Sequence, residues 1–117
     1  MLIIKDIYNL YTYLNAYRDK GYSIGYVPTM GALHEGHGSL IEKSHNDNQK
    51  TIISIFINEK QFNDTKDFEA YPRNKGDDYN FCEKHNVDII FEPSTEEIYP
   101  KEYKSIQNSH FQNILCD

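Results

Sequence analysis

A chain of 117 residues with 26% charged and 38% hydrophobic side chains has the length of one domain and the make-up of a soluble globular one, which argues against intrinsic disorder and allows a modest core. Twelve Lys and Arg against eighteen Asp and Glu give a net charge of −6, so no overall positive field draws in nucleic acid or an anionic membrane surface. Cys82 and Cys116 lack metal-site spacing, and the apolar run Leu2 to Ile4 is too short for a signal-peptide core or a membrane span, so the two cysteines read as free thiols of a cytoplasmic protein.

Met1 to Lys5 is a short extended piece, and Asp6 offers an N-cap for a helix to about Lys20. Ile7, Leu10, Tyr11, Leu14 and Tyr17 recur at three- and four-residue steps and form one apolar stripe, with Gly21 as the stop. Ser23 to Val27 reads as a strand ending at Pro28, which has no N–H for a central ladder. A glycine-rich turn follows, and Ser39 to about Asn48 reads as a helix with Leu40 and Ile41 inward. Thr51 to Ile57 is dominated by Ile and Phe without a polar alternation, as expected of a strand covered on both faces. Asn58 to Arg73 is a polar loop that ends in a Tyr71, Pro72, Arg73 turn, Asp77 to about His85 is a helix, and Val87 to Phe91 is a second buried strand. Ser94 with Glu97 three residues on makes a capping box for a short helix before Pro100. This alternation predicts an α/β domain with a largely parallel sheet and right-handed crossovers.

Ligands of open α/β sheets bind beyond the carboxyl ends of the strands. Two segments leave strands there, Thr29 to His37 and Asn58 to Phe62. Parallel neighbouring strands would bring His34, His37, Asn58 and Gln61 within reach of one small molecule. A helix starting near Gly36 to Ser39 would aim unpaired amides and its positive dipole end into the same crevice, which suits phosphate. His34 and His37 would face one side, able to donate to phosphate oxygens or, protonated, to stabilise developing negative charge. The run His34, Glu35, Gly36, His37 is one residue short of the zinc-protease H-E-x-x-H and lacks a third ligand. It is not a P-loop either, because His37 and Gly38 follow Gly36 where Lys and Ser or Thr are needed. His45, His85 and His110 read as surface or helix-end residues.

The run P-T-M-G-A-L-H-E-G-H from Pro28 to His37 resembles the signature of the pantothenate synthetase family, the pantoate–β-alanine ligases, and contains the H-x-G-H element of a nucleotidyltransferase superfamily. The resemblance continues through Ser54 to Asn58, Gln61 and Phe62, Tyr71 to Arg73, and V-D-I-I-F-E-P-S-T-E-E-I-Y-P from Val87. It implies a Rossmann-like parallel sheet and a two-step ligation. The pantoate carboxylate attacks the α-phosphorus of ATP, giving pantoyl adenylate and pyrophosphate, and the amine of β-alanine then displaces AMP. Carried over by position, Met30, Gly31, Ala32, Leu33, His34, Glu35, Gly36 and His37 would contact ATP, with His34 and His37 catalytic and His37 the proton donor. Gln61, Asn58, Thr29 and Tyr71 would hold the substrates. Magnesium would accompany the ATP without a protein metal site, and the family implies a homodimer. Two departures stand out. Glu59 replaces a usual Pro, and Gly38 replaces a usual large apolar residue, which predicts a packing gap and a helix cost of about 1 kcal/mol.

The resemblance covers nearly the whole chain but less than half of the family's length. Residues 1–117 therefore read as the N-terminal part of the nucleotide-binding domain, without the later Gly-Glu-Lys-Asp and Ser-Ser-Arg segments or the C-terminal domain, and little ligase activity is expected of them alone. Another H-x-G-H nucleotidyltransferase and a non-catalytic nucleotide-binding remnant are the alternatives.

Overall fold

The computed structural model describes residues 1–57 and 74–98. Among them the elements run β1 (Leu2–Ile4), α1 (Ile7–Asp19), β2 (Ile24–Thr29), α2 (Glu35–Asp47), β3 (Lys50–Ile55), α3 (Lys75–Lys84), β4 (Ile89–Phe91) and α4 (Thr95–Ile98).

Local chemistry sets the ends of α1. The Asp6 carboxylate accepts from the Asn9 amide at 3.0 Å and from the Asn9 side chain at 2.8 Å, satisfying an amide that the first turn leaves open. At the other end Gly21 adopts φ 77°. Its amide donates to Arg18 O at 2.9 Å and the Tyr22 amide to Tyr17 O at 2.9 Å, the paired bonds of a Schellman stop. Leu10 is buried, and Ile7, Leu14 and Tyr17 pack around it.

All four strands are parallel, in the order β1-β4-β3-β2. Alternate residues supply the two faces. Ile52, Ile89 and Phe91 pack with Ile4, Leu10 and Ile98 on the α1 side. Val27, Ile53, Ile55 and Ile90 pack with Ile41, Cys82 and Val87 on the side of α2 and α3. The chain crosses the sheet from β1 to β2 over one face and returns through β3 to β4 over the other, as right-handed crossovers require when the strand order reverses. β3 is buried from Thr51 to Ile55, so its Ile-rich run, with Thr51 and Ser54 buried in it, is a strand covered on both sides.

Several boundaries differ from expectation. β2 continues through Pro28 to Thr29, paired with Ser54 and Ile55 of β3. It is the edge strand of the described sheet, where proline is tolerated. β3 stops at Ile55, and β4 begins at Ile89. α2 starts at Glu35, four residues before Ser39. Its inward residues are Gly38, Ile41 and Ser44, a three-residue step that leaves Leu40 52% exposed rather than inward. The capping box at Ser94 is half formed. Ser94 Oγ accepts from the Glu97 amide at 3.1 Å, but the Glu97 carboxylate turns away to accept from the Ile7 amide at 2.8 Å, tying α4 to the start of α1.

Two further features bring α2 onto the sheet. Gly25 lies so close to it that an added Cβ would sit 1.9 Å from Ser44 Oγ. Beside this contact, buried Thr51 Oγ1 bonds Ser44 Oγ at 2.6 Å and His45 Nδ1 at 3.3 Å, while His45 Nε2 meets the His85 carbonyl at 2.8 Å. His45, in the last turn of α2, is thus a helix-end residue that is half-buried and bridges α2, β3 and the end of α3.

Candidate active site

β2 and β3 are parallel neighbours, so the turn after Thr29 and the segment after Ile57 leave the same end of the sheet. Asn58, Glu59, Gln61 and Tyr71 lie outside the described residues, as do His110 and Cys116. The side chains that the structure places are those of Thr29 to His37 and the residues that hold them.

Thr29 closes the strand. Its hydroxyl donates to Ser54 O at 2.9 Å and accepts from the Gly31 amide at 3.2 Å. Gly31 (φ 90°) and Ala32 (φ 52°) then turn the chain through the left-handed region, easy for glycine and unfavourable for alanine. The next two amides find a single carboxylate: Ala32 N donates to Asp78 Oδ2 at 3.2 Å and Leu33 N to Asp78 Oδ1 at 2.9 Å. Asp78 is only 3% exposed. Met30 is 39% exposed at the outer side of the turn.

His34 is the N-cap of α2 and His37 its third residue, and their rings form the cap that Ser and Glu form elsewhere. His34 Nδ1 accepts from the Gly36 amide at 3.1 Å, and His37 Nδ1 accepts from the His34 amide at 3.1 Å. The ring centroids are 4.3 Å apart, so the two imidazoles do face one side. Both Nδ1 atoms are acceptors, so each neutral ring carries its proton on Nε2, the nitrogen that the cap does not use. Burial, and next the charge of His34, push the His37 imidazole below its ordinary value, while Asp78 acts in the opposite sense. The neutral ring is therefore favoured at neutral pH.

Several of the amides expected to stand open are already held. The imidazoles hold the amides of His34 and Gly36, the His34 carbonyl accepts from the Gly38 amide at 3.1 Å, and Asp78 holds those of Ala32 and Leu33. The ring N–H groups of His34 and His37 are thus among the donors that this turn can present.

Gly38 leaves no gap. It is buried, and an added Cβ would stand 3.2 Å from His85 Cε1 and 3.4 Å from Phe81 Cζ. His85 and Phe81 pack ring on ring with centroids 4.3 Å apart and occupy the space that a large residue at position 38 would need. An open cleft of about 550 Å³ lies beyond the carboxyl ends of β1, β3 and β4, lined in part by Lys5, Ile55, Glu92 and Ser94. Its walls do not include the histidines. Among the described residues no group of three or more His, Cys, Asp or Glu could hold a metal ion, and no helix is long and apolar enough to cross a membrane.

Asp78 is the residue that sequence reasoning passed over. Its one local signal is the four-residue step to Cys82, which puts an acid on the inward face of α3.

Comparison with known proteins converges on one family. The family model for pantoate-beta-alanine ligase matches residues 2–117. A pantothenate synthetase of Leptospira biflexa is 47% identical over 118 residues, covering 99% of this chain and 42% of the relative. One from Clostridium botulinum is 45% identical over 117 residues, with the same shares of 99% and 42%. The chain thus spans about 42% of the length of these curated relatives. Among solved structures, the pantoate-beta-alanine ligase of Francisella tularensis, complexed with beta-gamma ATP and beta-alanine, superposes with a TM-score of 0.78 at 42% identity, covering 86% of this chain and 38% of that one. The pantothenate synthetase of Thermus thermophilus gives 0.73 at 30% identity, over 90% and 36%. The sheet and its flanking helices have the Rossmann-like nucleotidyltransferase fold of these neighbours.

Proposed function

Because the chain belongs to the pantoate–β-alanine ligase family, we propose that it supplies the ATP-facing part of a cytoplasmic, homodimeric ligase that joins pantoate to β-alanine through a pantoyl adenylate. The observation that carries the proposal is the mutual capping of His34 and His37, which leaves two Nε2–H donors side by side at the carboxyl end of β2. In the first step the pantoate carboxylate forms a bond to the α-phosphorus while the bond to pyrophosphate breaks. Negative charge grows on the phosphate oxygens, and preplaced N–H donors stabilise it without reorganising. His34 and His37 would provide them, His37 as the neutral ring, and Met30 to Gly36 would form the wall against which the nucleotide lies. Thr29 would border the pantoate site, with its hydroxyl already engaged by Ser54 and Gly31. Asn58, Gln61 and Tyr71 would complete that site. In the second step the β-alanine amine attacks the acyl carbon and AMP leaves. Magnesium would enter as the counterion of ATP.

Calorimetry tests the proposal. ATP titrated into the 117-residue chain should give a saturable heat that His37→Ala weakens roughly tenfold, the loss of a hydrogen bond to a charged group. Pantoate, but not an unrelated hydroxy acid, should then bind to the ATP-loaded chain. Absence of ATP binding, or equal binding of unrelated acids, would overturn it.

A further inference from the structure

We infer that Asp78 is a positioning residue of this site, fixing the turn from Gly31 to Leu33 so that His34 and His37 face the nucleotide; the inference rests on the turn being the ATP site. One buried carboxylate takes two successive amides, one on each oxygen, at 3.2 and 2.9 Å. That fixes two peptide planes from a helix 46 residues away in sequence. Those planes flank Ala32, whose φ of 52° persists only where the surroundings enforce it. Leu33, the second residue held, immediately precedes the N-cap His34, so a shift in the turn moves the cap and both rings with it. An amide side chain at position 78 would have the same shape but only one acceptor oxygen, leaving one of the two turn amides facing an NH₂ group.

The same carboxylate acts electrostatically on His37. Its charge raises the proton affinity of the ring, in opposition to burial and to His34 on the same helix. Asp78 therefore acts on the shape of the turn and on the charge state of one of its rings, which a spacer in the core would not do.

NMR of the isotopically labelled chain tests this. In Asp78→Asn the titration midpoint of His37 should move further down, and ATP affinity should fall roughly tenfold. Asp78→Glu, which keeps the charge but not the reach, should weaken ATP comparably and move His37 less. A folded Asp78→Asn protein with an unchanged His37 midpoint and unchanged ATP affinity would overturn the inference. Should the wild-type chain not bind ATP, the ATP-site proposal fails, whereas the His37 midpoint still decides the role of Asp78. Should Asp78→Asn not fold, hydrogen exchange at Ala32 and Leu33 in the wild-type chain decides instead. Slow exchange supports the two bonds, and exchange at free-chain rates overturns them.

Discussion

His37 folds its Nδ1 back onto the amide of His34, 3.1 Å away, so the ring that would face a phosphate also caps the helix that carries it. Protonation at Nδ1 would remove that acceptor. Burial already holds the folded-state value below the ordinary 6.5. The unfolded chain therefore binds more protons as pH falls below 6.5, and the contribution of His37 to stability, complete above that value, is lost as pH drops through the lower folded value. Urea unfolding at about pH 7.5 and about pH 5.5 should show lower stability in acid. His37→Ala should reduce that difference, and at the higher pH should cost about 1 kcal/mol, as loss of a cap does. An identical pH slope in the variant would remove His37 as its source.

Cys82 should be inert while the protein is folded. Its side chain has no exposed area, and burial, followed by the charge of Asp78, pushes the thiol up to about 12. Thiolate is the reactive form, so iodoacetamide at about pH 8 should leave Cys82 unmodified in the native protein and alkylate it in denaturant. Mass spectrometry of the peptide containing Cys82 reads the result. Rapid alkylation of the native protein would mean that α3 opens locally.

The features legible in the sequence were those whose cause is local. The Ile-rich run of β3, the Asp6 cap and the stripe of α1 each follow from neighbours within one or two turns, and the structure places all three. The Pro28 to His37 run was legible as a phosphate-friendly turn because its glycines and imidazoles are contiguous. Its internal wiring was not. Imidazoles are outside the usual set of capping side chains, so the reciprocal bonding of His34 and His37 was not legible, although a helix start near Gly36 to Ser39 lies close to the observed start at Glu35. Asp78 reaches the turn, and His85 reaches Gly38, only across the tertiary fold, from a helix whose register against α2 no local pattern announces. Pro28 looked like a strand stop because its missing N–H matters in a central strand, and the edge position of β2 was not visible before the sheet order was known.

The approach of α2 to the sheet should be intolerant of a single methyl at position 25. A Cβ there would meet Ser44 Oγ at 1.9 Å, Asn48 Nδ2 at 2.8 Å and Ser44 Cβ at 2.9 Å. Gly25→Ala should therefore cost about 1–3 kcal/mol, the range of overpacked cores. In the Ser44→Gly background, where the colliding side chain is gone, the same change should cost at least about 1 kcal/mol less. Denaturant unfolding of the four proteins measures the coupling. Equal costs in both backgrounds would show that the collision is not what makes glycine necessary.

Gly38 and His85 should behave as a pair. Family resemblance led to the expectation of a hole at Gly38, and helix propensity alone favours Gly38→Ala by about 1 kcal/mol. Against that gain stands the 3.2 Å approach of the new Cβ to His85 Cε1, which a half-buried ring can relieve by moving a few tenths of an ångström. The two effects nearly cancel, so Gly38→Ala should change stability by less than about 1 kcal/mol. A large side chain has no such relief: Gly38→Leu should destabilise the chain by about 1–3 kcal/mol. Adding His85→Ala vacates the ring's place and should recover most of that loss. Gly38 follows His37 directly in the first turns of α2, so Gly38→Leu should also weaken ATP, and the double variant should restore it. Recovery of stability without recovery of ATP binding would separate the packing of α2 from the aim of its histidines. Failure to recover either would mean that the space behind Gly38 is closed by more than the ring of His85.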